Sequence, residues 1–187
     1  KASGVLEEIL TPTPFQKNNN LSDIYDAEVY LKREDLQMVR SYKIRGAYNK
    51  IRSIDPESMK NGIVCASAGN HAQGVAFSCS KLKIMGSIFM PVTTPKQKIE
   101  QVRMFGKEYI EIVLTGDTFD AANSAAIAYA SENKKTFIPP FDDPKVMEGQ
   151  GTIGLEIMSQ SEGPLDYIFV PIGGGGLASG LGAYIKQ

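Results

Sequence analysis

The sequence is poor in the features that mark several classes of protein. It has two cysteines, one histidine and no long apolar run among its 187 residues, and its 20 basic and 21 acidic side chains leave a net charge of −1. A transmembrane helix needs about 20 consecutive apolar residues. A balanced charge gives no general attraction to nucleic acid or anionic lipid. We therefore expect neither a membrane nor a nucleic acid as a partner.

The two cysteines give no sign of a disulfide or a metal site. Cys65 and Cys79 stand singly inside apolar patterns, without the paired spacing of metal ligands, so we expect small core residues and no metal. Residues 1–10 carry Glu7 and Glu8 and lack the basic region and apolar stretch of a signal peptide. A cytoplasmic protein is the expectation.

What the sequence does have is an alternation of β-branched runs with amphipathic stretches, which is typical of an α/β fold with a parallel sheet covered by helices. The predicted strands are residues 62–66, 84–90, 109–114, 136–138 and 167–172. The predicted helices are residues 43–53, the stretch holding Ala72 and Cys79, the stretch from Pro95 (capped by Thr94) to Gly106, and residues 118–131, 153–158 and 176–187. The Pro- and Asp-rich residues 139–144 predict a break at a domain crossing. The last helix has barely begun to bury its apolar face, so we expect the chain to be the front portion of a longer protein.

A run of glycines follows the last predicted strand and opens the last predicted helix. It comprises Gly173, Gly174, Gly175 and Gly176, followed by Leu177. Glycines let several backbone N–H groups converge at the positive end of a helix, which favours a phosphate-binding loop over a merely close-packed turn. Gly173, Gly175 and Ala178 also fit the dinucleotide pattern G-x-G-x-x-A, but its acidic residue, expected about 20 positions later, would lie past residue 187.

A second junction of strand and helix is crowded with small residues: Ser67, Ala68, Gly69, Asn70 and His71. Its N–H groups and the Ser67 hydroxyl can hold a carboxylate, and the Asn70 amide can bond a ring oxygen of a cofactor; simple helix capping explains the pattern equally well. The single histidine, His71, has no Ser or Cys partner in motif spacing, so a structural role is favoured over a general base.

A lysine, Lys43, stands at the start of a predicted helix. The positive end of the helix dipole and the nearby Arg45 both predict a lowered pKa and a nucleophilic amine. Composition alone favours an ordinary solvated surface lysine.

Taken in order, the three segments resemble the threonine and serine dehydratases of the fold type II pyridoxal-phosphate enzymes, above all those of the biosynthetic threonine type. The likeness extends from residues 11–14 through residues 30–35, 139–144 and 149–154 to the last helix. It implies a larger domain (residues 1–44 and 142–187, incomplete) and a smaller inserted α/β domain (residues 45–141), each built on an open twisted parallel sheet. It also implies a homo-oligomer, either a dimer or a tetramer.

The resemblance assigns a role to each segment. It implies that Lys43 binds pyridoxal 5′-phosphate covalently and later acts as the base, and that Tyr42 stands beside the ring where phenylalanine is usual. Asn70 would bond the ring's 3-oxygen, residues 173–177 would grip the phosphate, and residues 67–71 would receive the carboxylate of the substrate.

The activity implied is β-elimination from L-threonine, which yields 2-oxobutanoate and ammonia for isoleucine synthesis. L-Serine dehydratase and serine racemase are the alternatives in the same family. Racemases of this group use a serine where this chain has Ala68, so racemisation is expected to be poor.

Family members contact the pyridine nitrogen from a segment past position 187, so this chain alone is expected to have an incomplete site. A dinucleotide-dependent oxidoreductase and a non-catalytic phosphate-binding fragment are the hypotheses from other classes.

Overall fold

The structure is a computed structural model that describes residues 1–186. Its helices are α1 (Ala2–Leu6), α2 (Asn19–Tyr25), α3 (Lys43–Arg52), α4 (Asn70–Leu82), α5 (Lys96–Gly106), α6 (Phe119–Glu132), α7 (Pro144–Gln160) and α8 (Gly176–Ile185). Its strands are β1 (Phe15–Lys17), β2 (Tyr30–Lys32), β3 (Ile63–Ala66), β4 (Gly86–Met90), β5 (Ile110–Leu114) and β6 (Thr136–Phe137). Of the predicted helix over residues 176–187, Gln187 lies outside the described residues.

A four-stranded parallel sheet confirms the predicted α/β class. Its strand order is β5-β4-β3-β6, with Ile63 paired to Gly86 on one side and to Thr136 on the other. The chain therefore adds β4 and β5 along one direction from β3 and then returns to the opposite side of β3 for β6. This reversal is a topological switch point, and it lies between β3 and β6.

The two central strands are buried on both faces, because helices cover the sheet on either side. On one face Cys65 and Ile88 pack with Cys79 of α4 and Val102 of α5. On the other face Val64, Ala66 and Phe89 pack with Ala126 and Ala130 of α6. Alternate residues of β3 thus enter opposite clusters, as the period of a strand requires.

Both cysteines are free core residues, as predicted. Burial raises the pKa of the Cys79 thiol to about 12 and raises that of Cys65 well above its ordinary value, so neither is a reactive thiolate.

Glycines bring four helices into backbone contact, and this packing positions the site. A β-carbon at Gly74 of α4 would lie 3.1 Å from the carbonyl oxygen of Lys43 at the start of α3. A β-carbon at Gly149 of α7 would lie 2.5 Å from the carbonyl oxygen of Arg45. A β-carbon at Gly151 would lie 2.7 Å from the carbonyl oxygen of Gly180 in α8. The helices therefore pack in the order α4, α3, α7, α8, at distances that larger residues would increase.

One predicted strand is wrong. Residues 167–172 form no strand, and the side chains of Tyr167 and Phe169 are 82% and 93% exposed. A strand needs a neighbour to accept and donate its backbone hydrogen bonds, and within residues 1–186 no strand lies beside this segment.

Two helix starts also differ from the prediction. The helix predicted around residues 153–158 begins at Pro144, inside the predicted break, because the Asp143 carboxylate accepts the Lys145 and Val146 N–H groups. In α5, Pro95 itself occupies the cap position, and the buried hydroxyl of Thr94 has no hydrogen-bond partner in the described part of the chain.

Candidate active site

The candidate site lies at the carboxyl edge of the sheet, at the switch point between β3 and β6. Ligands of open parallel sheets bind in the crevice at such a point. The Ser67 N–H donates to Phe89, and the Ile138 N–H donates to Val64. Residues 67–69 and residues 138–141 therefore leave adjacent strands at the same edge.

The segment of residues 138–141 connects two of the predicted site segments through its carbonyl oxygens. The Ile138 oxygen accepts a 3.0 Å hydrogen bond from Nε2 of His71. The Pro140 oxygen accepts a 2.7 Å hydrogen bond from Nζ of Lys43. The lysine and the start of α4 are thus held against the same short stretch of chain.

The same segment also contacts the glycine loop. The ring of Phe141 lies directly on Gly174, and a β-carbon at Gly176 would lie 2.8 Å from the Phe141 carbonyl oxygen. Sequence reasoning interpreted this stretch only as a domain crossing and missed its place in the site. The signal available was Pro139 followed by Pro140, since prolines have no N–H and such a stretch offers its carbonyl groups to other parts of the chain.

Lys43 is the first residue of α3 and is half-buried. Its Nζ lies 5.6 Å from the ring centre of Tyr42 and 6.0 Å from that of Phe141. No carboxylate of the described residues lies within 4.0 Å of this ammonium. An amine in these surroundings has no countercharge that would hold its proton.

Burial lowers the pKa of Lys43, so the predicted direction agrees with the structure. The predicted contribution of Arg45 is wrong. Its guanidinium bonds Glu34 and Glu156 instead of facing the lysine. Residues i and i+2 of a helix point about 200° apart, which accounts for the difference.

At the start of α4, the Ser67 hydroxyl accepts the Gly69 N–H at 3.1 Å, and Asn70 is exposed at the first helical position. Burial, and to a smaller extent the charge of Lys43, lower the pKa of His71 to about 4. The imidazole is therefore neutral and donates to Ile138. Its side chain is engaged, which leaves the backbone N–H of His71 as the group available to a ligand.

The predicted phosphate loop has the backbone of an anion site. Gly175 precedes the first residue of α8. Its φ of +82° lies in the left-handed region, which favours glycine. A β-carbon at Gly173 or Gly175 would meet nothing within 4 Å, so open space adjoins the loop. Leu177 of the loop and Tyr42, the residue before the lysine, both pack against the apolar cluster of Ile153, Ile157 and Leu181.

These residues fit pyridoxal phosphate. The loop offers N–H groups and a helix dipole to a phosphate, Lys43 offers an amine without a countercharge to an aldehyde, and Asn70 offers an exposed amide. The hydroxyl of Ser41, two residues before the lysine, is buried and has no hydrogen-bond partner within residues 1–186. By contrast, no three His, Cys, Asp or Glu side chains of residues 1–186 are placed to hold a metal. The helices of the same range include none long and apolar enough to cross a membrane.

Comparison with known proteins defines the class. The family of pyridoxal-phosphate dependent enzymes matches residues 6–187, and the chain belongs to that family. Its fold is also that of solved members: the processed form of threonine deaminase isoform 2 from Solanum lycopersicum has a TM-score of 0.93 and 43% identity over 97% of this chain and 49% of its own. Maize serine racemase has a TM-score of 0.92 and 30% identity over 99% of this chain and 55% of its own.

Within this family, the curated relatives that match the chain include biosynthetic L-threonine dehydratases. The biosynthetic L-threonine dehydratase of Halalkalibacterium halodurans is 58% identical over 186 residues, and that of Bacillus subtilis is 53% identical over 187. Each match covers 100% of this chain, which spans 45% and 44% of the two relatives.

Proposed function

We propose that this chain carries the cofactor lysine of a pyridoxal-phosphate-dependent ammonia-lyase that converts L-threonine to 2-oxobutanoate and ammonia. The observation that supports it most is the position of the Lys43 amine. It lies 2.7 Å from the Pro140 carbonyl oxygen, and the next residue, Phe141, lies on the glycine loop. An amine and a phosphate-binding loop thus share one wall of the switch-point crevice.

Each predicted group has a place in this assignment. Lys43 would hold the cofactor covalently, the backbone N–H groups of residues 173–177 would bind its phosphate, and the Asn70 amide would bond its ring oxygen. Tyr42 would border the ring. When bound, the cofactor acts as an electron sink for the pair of electrons left at the substrate α-carbon.

Lys43 also supplies the base. Because burial lowers its pKa, a larger fraction of the amine is neutral than in a solvated lysine. A neutral Nζ can accept the α-proton of a substrate held in the crevice. The Pro140 carbonyl oxygen restrains Nζ in place when the amine is free.

The start of α4 would receive the substrate carboxylate. The first N–H groups of a helix have no intrahelical acceptor and lie at the positive end of its dipole. Residues 67–71 present such groups next to Lys43, and Ser67 adds a hydroxyl. His71 stays neutral and adds no charge of its own.

The names of the relatives support threonine as the substrate and elimination as the reaction. Serine dehydratase and serine racemase are the alternatives, and the solved maize enzyme is a serine racemase. Ala68 carries no hydroxyl that could serve as a second acid or base, which favours elimination over racemisation.

The decisive experiment uses the full-length protein loaded with pyridoxal phosphate. Borohydride reduction followed by mass spectrometry of peptides is expected to find the cofactor on Lys43, and L-threonine is expected to release ammonia. Lys43→Ala should abolish both. Lys50→Ala is the matched control on the same helix, because Lys50 is ion-paired to Asp143 at 2.6 Å and should not react.

Other outcomes would decide for the other classes. Nicotinamide binding that survives Lys43→Ala would favour an oxidoreductase. Failure to fix any aldehyde, together with no ammonia, would favour a non-catalytic phosphate-binding protein. Racemised serine without 2-oxo acid would favour the racemase.

We further propose the two-part organisation, with residues 45–141 as the smaller domain. The whole parallel sheet lies between residues 63 and 137, which supports it. We also propose a cytoplasmic homo-oligomer, a dimer or tetramer, that acts in isoleucine synthesis. The relatives named as biosynthetic enzymes support the metabolic role, and light scattering of the full-length protein tests the oligomeric state.

A further inference from the structure

Among residues 1–186, Arg45 is the most deeply buried charged side chain that the proposed reaction does not use. Its side chain is 1% exposed, and its Nε and Nη2 atoms donate to the two oxygens of Glu34 at 2.8 and 2.7 Å. Its Nη1 atom donates to Glu156 at 2.6 Å and to Thr152 at 3.0 Å. One guanidinium therefore bonds the segment before α3 and the second half of α7 together.

Further partners complete a charge-balanced cluster. Lys32 bonds the other oxygen of Glu156 at 2.6 Å, and the Thr13 hydroxyl donates to Glu34 at 2.6 Å. Burial acts to raise the pKa of Glu156, but hydrogen bonds from Arg45 and Lys32 hold it below its ordinary value. The cluster thus pairs two basic side chains, Lys32 and Arg45, with two acidic ones, Glu34 and Glu156.

A buried ion-pair cluster is not explained by stability alone. Desolvation offsets much of the attraction, and apolar side chains of similar size often stabilise a fold as well or better. The location of this cluster suggests a more specific reason for it.

The Glu34–Arg45 pair closes a loop of chain around the residues that lead to Lys43. Inside that loop the side chains of Gln37 and Ser41 are buried with polar atoms that have no partner among residues 1–186, and Arg40 has φ +58°. The backbone hydrogen bonds within the loop are local turns, such as that from the Arg40 N–H to Gln37, so the Glu34–Arg45 pair is the side-chain link between its two ends.

The same guanidinium also bonds the helix that follows Pro140, the acceptor of the Lys43 ammonium. Thr152 and Glu156 belong to α7, which begins at Pro144, shortly after residues 138–141, and Pro140 of that segment accepts the Lys43 ammonium. Arg45 thereby fixes the start of α3 and the helix that follows the Lys43 acceptor in one rigid arrangement.

We infer that Arg45, clamped by Glu34 and Glu156, is a positioning residue that sets where the Lys43 amine stands relative to Pro140 and the glycine loop. The inference rests on the proposed function for its catalytic consequence, but it concerns the position of the amine in any case. The Arg45 guanidinium is occupied by Glu34, Thr152 and Glu156, so any effect on the reaction would pass through the position of Lys43.

The test uses the full-length protein and distinguishes an effect on the position of the Lys43 amine from an effect on the stability of the fold. The Arg45→Met, Glu34→Met double variant replaces the bidentate pair with apolar side chains and leaves Glu156 paired with Lys32. We expect near-native thermal unfolding with kcat lowered about 100-fold, a loss of the size that a misplacement of about 1 Å produces. KM should change far less, and the fraction of cofactor that borohydride fixes on Lys43 should fall several-fold.

A second readout needs no cofactor. The pH profile of Lys43 acetylation in the cofactor-free protein reports the surroundings of the amine. In the double variant its midpoint should rise toward that of a solvated lysine, because the side chain is no longer held in a buried position. His71 stays neutral above about pH 4 and so does not titrate in the range of this measurement.

Arg33→Met is the matched control. Arg33 makes an equally bidentate pair with Asp35, at 2.8 Å for both bonds, in the same segment but on the surface. It should leave kcat, cofactor fixation and the acetylation profile unchanged.

Wild-type kcat and a wild-type acetylation profile in a stably folded double variant would overturn the inference. Should the double variant not fold, Arg45→Lys decides: it keeps the charge but not the bidentate geometry, and a native acetylation midpoint there would equally overturn it. If wild-type protein fixes no cofactor on Lys43, the proposed function fails, while the acetylation profiles still decide whether Arg45 positions the amine.

Discussion

The imidazole of His71 donates a 3.0 Å hydrogen bond from Nε2 to the carbonyl oxygen of Ile138, and so ties the start of α4 to the chain leaving β6. Both residues are buried, at 4% and 0% exposure. The bond crosses the switch point and holds the two sides of the crevice together.

The burial of this imidazole predicts a pH dependence of stability, because desolvation of the charged form lowers the pKa by more than the hydrogen bond to Ile138 raises it. The folded pKa is about 4 against an ordinary 6.5, so between these values the unfolded chain binds a proton that the folded chain does not. The contribution is complete above pH 6.5, falls as the pH drops, and is lost below about pH 4. The shift corresponds to roughly 3 kcal/mol of unfolding free energy. Urea unfolding at pH 7, 6 and 5 measures it.

His71→Gln provides the comparison. The amide can still donate toward Ile138 but does not titrate, so the free energy of unfolding should change much less between pH 7 and 5. Equal slopes in the two proteins would show that the imidazole is not the group responsible.

The glycine loop predicts a position-specific effect on cofactor binding. Gly174→Ala would drive a methyl group into the ring of Phe141, whereas at Gly182, past the loop on α8, an added β-carbon meets nothing within 4 Å. We expect Gly174→Ala to weaken pyridoxal phosphate binding by at least about tenfold, which corresponds to roughly 1.4 kcal/mol. Gly182→Ala should leave the affinity unchanged. Fluorescence titration of the full-length apoprotein gives both dissociation constants, and identical values would contradict this account of the loop.

The crossing of α7 and α8 predicts opposite effects for two glycines on one helix. A β-carbon at Gly180 would clash with the Met147 carbonyl oxygen and lie 2.9 Å from the Gly151 nitrogen. Gly180→Ala should therefore destabilise the protein by on the order of 2 kcal/mol, as overpacking does. At Gly182 a β-carbon meets nothing within 4 Å, and Gly182→Ala should stabilise the helix by about 0.5–1 kcal/mol. Thermal or urea unfolding distinguishes the two.

Asp143 both caps α7 and forms an ion pair, and two substitutions can separate the contributions of these interactions to stability. Its carboxylate accepts the Lys145 and Val146 N–H groups and pairs with Lys50. Asp143→Ala should cost about 1 kcal/mol or more through the lost cap. Asp143→Asn keeps an acceptor for the cap and should recover much of that loss. If urea unfolding finds the two variants equally destabilised, the ion pair and not the cap is the important interaction.

The elements that the sequence predicted well are those that carry their own signal. β3, β4 and β5 are short apolar runs, and α3 shows its buried stripe through Ile44 and Ile51, so their bounds agree with prediction to within two residues. The start of α7 was missed because Asp143 and Pro144, which begin the helix, also read as a turn. Residues 167–172 have the composition of a strand, but a strand depends on neighbours that no local pattern reports.

The site residues divide in the same way, into those that carry a signal in the sequence and those that do not. Residue types and the resemblance to a family predict Lys43 and the glycine loop as site residues, and the structure places them beside the neighbouring residues Pro140 and Phe141. The acceptor for Lys43 could not be predicted, because it is a backbone carbonyl group and any residue has one. The direction of Arg45 could have been anticipated from its spacing of two from Lys43.

The switch point has a consequence for engineering. Strand β5 stands two places from β3, about 10 Å from the crevice at the usual strand spacing, on the side away from β6. Grafted loops or diversified libraries at that far margin, directly after β5, can alter solubility or attachment while the crevice keeps its shape. The margin that evolution or design can rewrite is therefore the one that the chain builds before it returns to β6.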